Sequence, residues 1–249
     1  MSTGVILFLC VAGFLAALVD SIAGGGGIIS IPAIIAAGIP PHYALGTNKF
    51  CSSCASFVST LTFAKSSKIH FPLIKYMIPF TLLGAIIGVK VVLNINEKLL
   101  QTMILILVFT IAIYTLIKKD FGSENNFDGL TRKSIIYGCI FAFIIGFYDG
   151  FFGPGTGSFL IFLFITLYKF DFTLSAGNGK ILNFVSNFTA LIMFAINGKI
   201  LYIAGIPMAL SMILGAFIGT KIAIKNGAKL IKPIFIKISL VLTVKLLFS

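Results

Sequence analysis

The chain of 249 residues is 58% hydrophobic and 10% charged, with a mean hydropathy of +1.09, a composition from which no water-soluble surface can be built. Lys and Arg number 19 against 7 Asp and Glu, and the resulting +12 would suggest nucleic-acid binding in a polar chain. Here the cations punctuate apolar runs, which is the membrane pattern, and Cys10, Cys51, Cys54 and Cys139 lie in or beside those runs, which argues against a secreted disulfide framework.

A helix needs about 20 apolar residues to cross the hydrocarbon core. In chain order the runs 4–22, 44–64, 72–93, 99–117, 134–152, 174–197, 200–220 and 230–248 meet that length. Two shorter runs, 28–37 and 158–168, follow glycine-rich breaks and read as half-helices or short spans. The predicted architecture is therefore an all-α polytopic membrane protein with 8 full spanning helices plus two short glycine-broken segments. No Lys or Arg precedes the first run and no small-residue cleavage site follows it, so it is expected to be a retained helix rather than a signal peptide. The polar stretch 118–133 is predicted to link two membrane repeats, 1–117 and 134–249.

The repeats show in the sequence itself. LGAIIGVK at 83–90 matches LGAFIGTK at 214–221, an offset of 131 that also pairs Lys68 with Lys199 and Lys98 with Lys229. Nearer the start of each half the offset is 129, pairing Asp20 with Asp149 and Gly24 with Gly153. Positive charge alternates between equivalent turns. Lys65, Lys68 and Lys75 face a lone Lys199, whereas Lys221, Lys225, Lys229 and Lys232 face Lys90 and Lys98. Halves of opposite orientation with a cytoplasmic linker account for this, and they require an odd number of crossings per half, five if each short run crosses. Re-entrant short runs would leave four crossings and a parallel repeat; the inverted reading is preferred.

Of the acidic residues, Asp20 and Asp149 stand inside apolar sequence. A charge at mid-membrane costs at least about 2.5–3.5 kcal/mol on insertion scales, so it faces a cavity or a partner. Each precedes a break: Gly24, Gly25, Gly26 and Gly27 in the first half, and Gly153, Pro154, Gly155, Thr156 and Gly157 in the second. Such runs interrupt the helical ladder, which lipid does not tolerate unless the freed groups line a cavity. They also aim a helix N-terminus inward, where anions are attracted. Paired breaks are thus predicted to form a midplane substrate site between the repeats; the alternative is that the glycines only permit close helix packing.

The next helix of each half adds Thr47, Asn48 and Lys49 in the first copy, and Asn178, Lys180, Asn183 and Asn187 in the second, with Asn183 and Asn187 on one helix face. Lys49 and Lys180 either snorkel to the interface, or supply a cation to an anion or pair with an aspartate. Cys51 and Cys54 have redox spacing but stand alone and read as structural, and no metal site is predicted. Residues 177–180 lack the remaining features of a phosphate-binding loop, and His42 and His70 sit near segment ends as interfacial residues.

Taken together, DSIAGGGGIISIP at 20–32, ALGTNK at 44–49, GFYDGFFGPGTGSF at 146–159 and KILNFVSN at 180–187 resemble the TauE/SafE family, often called sulfite exporters, and within it the YfcA-like branch. The resemblance covers nearly the whole chain and implies a multi-pass transporter in the bacterial inner membrane, carrying anions that are typically sulfur-containing oxyanions or organosulfonates. With no nucleotide motif, the expected protein is a secondary transporter of a small anion working by alternating access, not an enzyme. Expected partners are the anion, protons exchanged by Asp20 and Asp149, the lipid bilayer and a homo-oligomer, with no nucleic acid and no cofactor. Two alternatives stand beside it: an anion channel, and an intramembrane aspartyl protease using Asp20 with Asp149, although neither aspartate follows the Gly-x-Gly pattern of that class.

Overall fold

The computed structural model describes residues 1–117 and 124–227, with the backbone alone at 111–117. Among these residues there are nine α-helices and no strand: α1 Thr3–Ala23, α2 Gly27–Ala36, α3 Pro41–Lys65, α4 Phe71–Leu93, α5 Glu97–Ile117, α6 Arg132–Phe151, α7 Thr156–Tyr168, α8 Phe172–Ile196 and α9 Tyr202–Asn226. Their starts are set by local chemistry. Ser2 caps α1, Asp171 accepts from Thr173 N at 2.8 Å and Leu174 N at 3.0 Å ahead of α8, and Thr131 with Ser134 forms a capping box on α6. Prolines open α3 and α4, where a missing N–H is harmless.

Among the described residues five helices, α1, α4, α6, α8 and α9, are long and apolar enough to cross a membrane. They occupy the runs 4–22, 72–93, 134–152, 174–197 and 200–220. The run 44–64 is the 25-residue helix α3, whose length suffices but whose face carrying Asn48, Lys49, Ser53, Ser56 and Ser59 is polar and buried within the protein. Helix α5 takes the place of 99–117, and the run 230–248 and residues 118–123 of the linker lie outside the described residues. At 10 and 13 residues, α2 and α7 are too short to span the hydrocarbon core alone.

Burial is inverted relative to a soluble protein. Leu83, Ile87, Leu210 and Leu214 face outward, while Asn48, Lys49, Asp149 and Lys180 are inside. The helices approach closely through small residues. A Cβ on Gly84 or Gly88 would overlap the α6 backbone at Phe143 and Phe147, and one on Gly146 or Gly150 would overlap α4 at Thr81 and Ala85. Contacts between α4 and α6 advance together along both helices, from Met77 with Gly138 to Gly88 with Phe147, so the two run parallel. Helices α1 and α9 do likewise, from Gly13 with Met208 to Gly219 with Leu18.

The central helices α3 and α8 run the other way to each other. Gly46 lies at Phe194, Lys49 at Asn187, Phe57 at Phe184 and Lys68 at Gly177, so the order along one reverses the order along the other. Helix α9 runs parallel to α3, with Thr47 at Leu201, Cys51 at Gly205 and Ser59 at Thr220. Taken as two four-helix groups, α1–α4 and α6–α9, each packs its first helix on the last helix of the other. The linker end is held down where Asn126 N donates to Lys169 O at 2.9 Å and Phe127 packs on His70 and Phe170.

Candidate functional site

The two glycine breaks cross in contact. Gly24 and Gly25 have φ of 75° and 100°, and Gly153 and Gly155 have φ of 96° and 81°, values that side chains rarely allow. A Cβ on Gly24 would also overlap the backbone of Gly157 and Ser158. Several groups freed by the interruptions are satisfied within the protein. Asp20 Oδ1 accepts from Gly25 N at 3.0 Å and Gly26 N at 3.2 Å, Ser158 Oγ donates to Ala23 O at 2.9 Å, and Tyr148 OH donates to Pro154 O at 2.6 Å.

Each aspartate is held by a lysine of the opposite group of helices. Lys180 Nζ on α8 contacts Asp20 Oδ2 on α1, and Lys49 Nζ on α3 lies 3.0 Å from Asp149 Oδ1 on α6. Ser186 donates to Asp149 Oδ2, and Lys49 also donates to Asn187 Oδ1 at 3.1 Å. The Lys49 and Asp149 side chains are both 2% exposed, whereas Asp20 keeps 23% exposure. Two opposite charges so placed offset their desolvation only while both are present.

Between the pairs lies a polar cavity of about 20 Å³, lined by Asp20, Gly26, Gly27, Asn48, Lys49, Ser52, Asp149, Gly153, Gly157, Asn183, Asn187 and Met212. That is the room of about one water molecule. Ten of the residues singled out in the sequence thus line one space. Gly24, Gly25, Pro154, Gly155 and Thr156 form the breaks behind it, and Lys180 joins it through Asp20. Thr47 and Asn178 do not. Thr47 Oγ1 accepts from Leu201 N at 3.0 Å and Asn178 Oδ1 from His70 N at 2.8 Å, so each ties its helix to the turn before a helix of the other group.

Three residues were missed as site residues. Ser30 donates to Asn48 Oδ1 at 2.6 Å and orients that amide, Met212 closes one wall, and Ser52 stands 131 residues before Asn183, which faces the same cavity. Ser52 was legible from the repeat, whereas an isolated serine in a short apolar helix and a methionine in an apolar one carry no signal. The cysteines Cys10, Cys51, Cys54 and Cys139 are free thiols, Cys51 donating to Gly205 O at 3.3 Å. His42 is buried against Val92 O at 3.0 Å, away from the cavity.

No solved structure matches the chain. Among similar proteins, a "Probable membrane transporter protein" of Haemophilus influenzae is 35% identical over 98% of this chain and 94% of its own length. "Probable membrane transporter protein YfcA" of Escherichia coli K12 is 36% identical over 99% and 90%, and "Probable membrane transporter protein ORF9" of a Sinorhizobium species is 38% identical over 96% and 91%. The family model described as sulfite exporter TauE/SafE matches residues 9–246. With its apolar outer face and polar interior, the chain is a multi-pass membrane protein that belongs to the sulfite exporter TauE/SafE family.

Proposed function

We propose that the protein is a secondary transporter that moves a small anion, a sulfur-containing oxyanion or organosulfonate, across the bacterial inner membrane by alternating access at this cavity. The observation that carries the reading is the crosswise pairing of Lys49 with Asp149 and Lys180 with Asp20 around a space lined by two helix breaks and by Asn48, Asn183 and Asn187. The N-termini of α2 and α7 bring positive dipole ends to it, the amides supply donors for oxyanion oxygens, and a buried lysine supplies a cation once its aspartate lets go. At about 20 Å³ the cavity is too small for a three-oxygen anion as it stands, so binding one requires an ion pair to open. A channel would need a continuous path where two ion pairs and one water-sized space now stand, and a protease dyad would need the carboxylates to share a proton, whereas each holds a lysine.

The helix directions support inverted halves. Helix α8 begins and ends 131 residues after α3, from 41 to 172 and from 65 to 196, and runs antiparallel to it. Lys65, Lys68, Arg132, Lys133, Lys169 and Lys225 then gather at one end and Lys90, Lys98 and Lys199 at the other, so the end bearing the linker is cytoplasmic. The carrier reading is tested with purified protein in proteoliposomes. Sulfite moves down its gradient and competes with small sulfonates, while amino acids and sugars do not compete. Movement of cations without anion flux contradicts it.

A further inference from the structure

The two ion pairs are matched in sequence and unmatched in structure. Asp20 is fixed to backbone: its Oδ1 accepts the Gly25 and Gly26 N–H groups at 3.0 and 3.2 Å while Oδ2 meets Lys180. At the equivalent of Gly25, 129 residues on, stands Pro154, which has no N–H to give. Among the described residues Asp149 is accordingly held by side chains, Lys49 on Oδ1 at 3.0 Å and Ser186 on Oδ2. The partners of Asp149 leave by changing rotamer, whereas Asp20 can turn away only by giving up two backbone N–H donors as well as Lys180.

Resting on the carrier reading above, we propose that Asp149–Lys49 is the pair that opens in transport and takes up one proton for each monoanion carried, and that Asp20 is a fixed strut of the first break. With both pairs closed the site is neutral. An anion entering it adds a charge where Lys49 and Asp149 are 2% exposed, and uncompensated charge is costly at that burial. A proton added to the Asp149 carboxylate gives a neutral acid, frees the Lys49 ammonium to face the anion, and returns the site to zero net charge; release of anion and proton on the far side restores the pair. The charged groups around Asp149 are Lys49 from α3 and, across the cavity, Asp20 from α1 with its own Lys180 from α8. Helix α8 further brings Ser186, Asn183 and Asn187, α7 brings Gly157, and α4 meets α6 with Thr81, Gly84, Ala85 and Gly88, its Lys90 lying exposed, so among the described residues the cation paired with Asp149 is Lys49.

Methanesulfonate is the probe, because its charge does not change with pH. In proteoliposomes the wild type should move one proton per methanesulfonate, with uptake that rises as the external pH falls. Infrared difference spectra on adding methanesulfonate should show a protonated-carboxyl band that persists in Asp20→Asn and vanishes in Asp149→Asn. The neutralised doubles Asp20→Asn/Lys180→Gln and Asp149→Asn/Lys49→Gln serve where a single variant does not fold. Anion flux with no proton movement, a band lost with Asp20, or a band kept without Asp149 overturns the proposal and leaves the carrier standing. A wild type that moves neither methanesulfonate nor sulfite overturns the carrier reading itself.

Discussion

Lys49 has two oxygen neighbours, Asp149 Oδ1 at 3.0 Å and Asn187 Oδ1 at 3.1 Å, and its side chain is 2% exposed. Truncating it leaves a carboxylate buried without its cation, which costs about 3–5 kcal/mol. Lys49→Ala should therefore melt far below wild type in detergent, and Asp149→Ala on top of it should recover part of the loss; additive losses would mean that the pair is not coupled. Glycine gives a second test at this scale. Gly24→Ala puts a Cβ onto the Ser158 and Gly157 backbone at φ 75° and should abolish folded protein, while Gly38→Ala, at φ 79° with nothing within 4 Å, should cost only about 1–2 kcal/mol of αL strain. Thermal melts of both variants decide it, and equal effects contradict the crossing of the breaks. The aspartates, the lysines and the glycines were legible because charge and broken helix do not belong in lipid. Ser30 was not, since a lone hydroxyl in an apolar helix makes no pattern and its partner Asn48 comes from another helix.

At the scale of the element, α3 and α8 show that a polar residue inside a membrane protein can serve the backbone as well as a ligand. Thr47 and Asn178 share the polar stripe of Asn48, Lys49 and Lys180, and nothing in spacing separates them, yet their oxygens close the turns before α9 and α4. Thr47→Ala should then lower stability by about 1 kcal/mol, the usual worth of such a side-chain cap, with the half-saturating sulfite concentration unchanged. Asn48→Ala should do the reverse, raising that concentration with little change in melting. A large change in half-saturation for Thr47→Ala would return it to the site. The lengths of α1, α4, α6, α8 and α9 could be read from apolar runs, whereas the antiparallel course of α3 and α8 is encoded in no single run and could be anticipated only from the lysines that alternate between equivalent turns.

At the scale of the molecule, each group of helices is completed by the other: α1 lies on α9, α4 on α6, and each lysine reaches an aspartate across the boundary. If the halves are inverted, a cysteine beside Asn197 on a Cys-less background is labelled from outside and one at Asn125 is spared; labelling of both from one side contradicts the inversion. The pairing of Lys49 and Lys180 with opposite aspartates could be anticipated only as one of three roles for those lysines, because which charges meet depends on how the groups interlock. Whether these buried cations serve an anion is the central claim, and radiolabelled sulfite flux in proteoliposomes tests it most directly. The account predicts that Lys49→Ala and Lys180→Ala, each combined with Ala at its partner Asp149 or Asp20 to preserve folding, lose most of the flux while Lys65→Ala keeps it. Full flux without both buried lysines would contradict it.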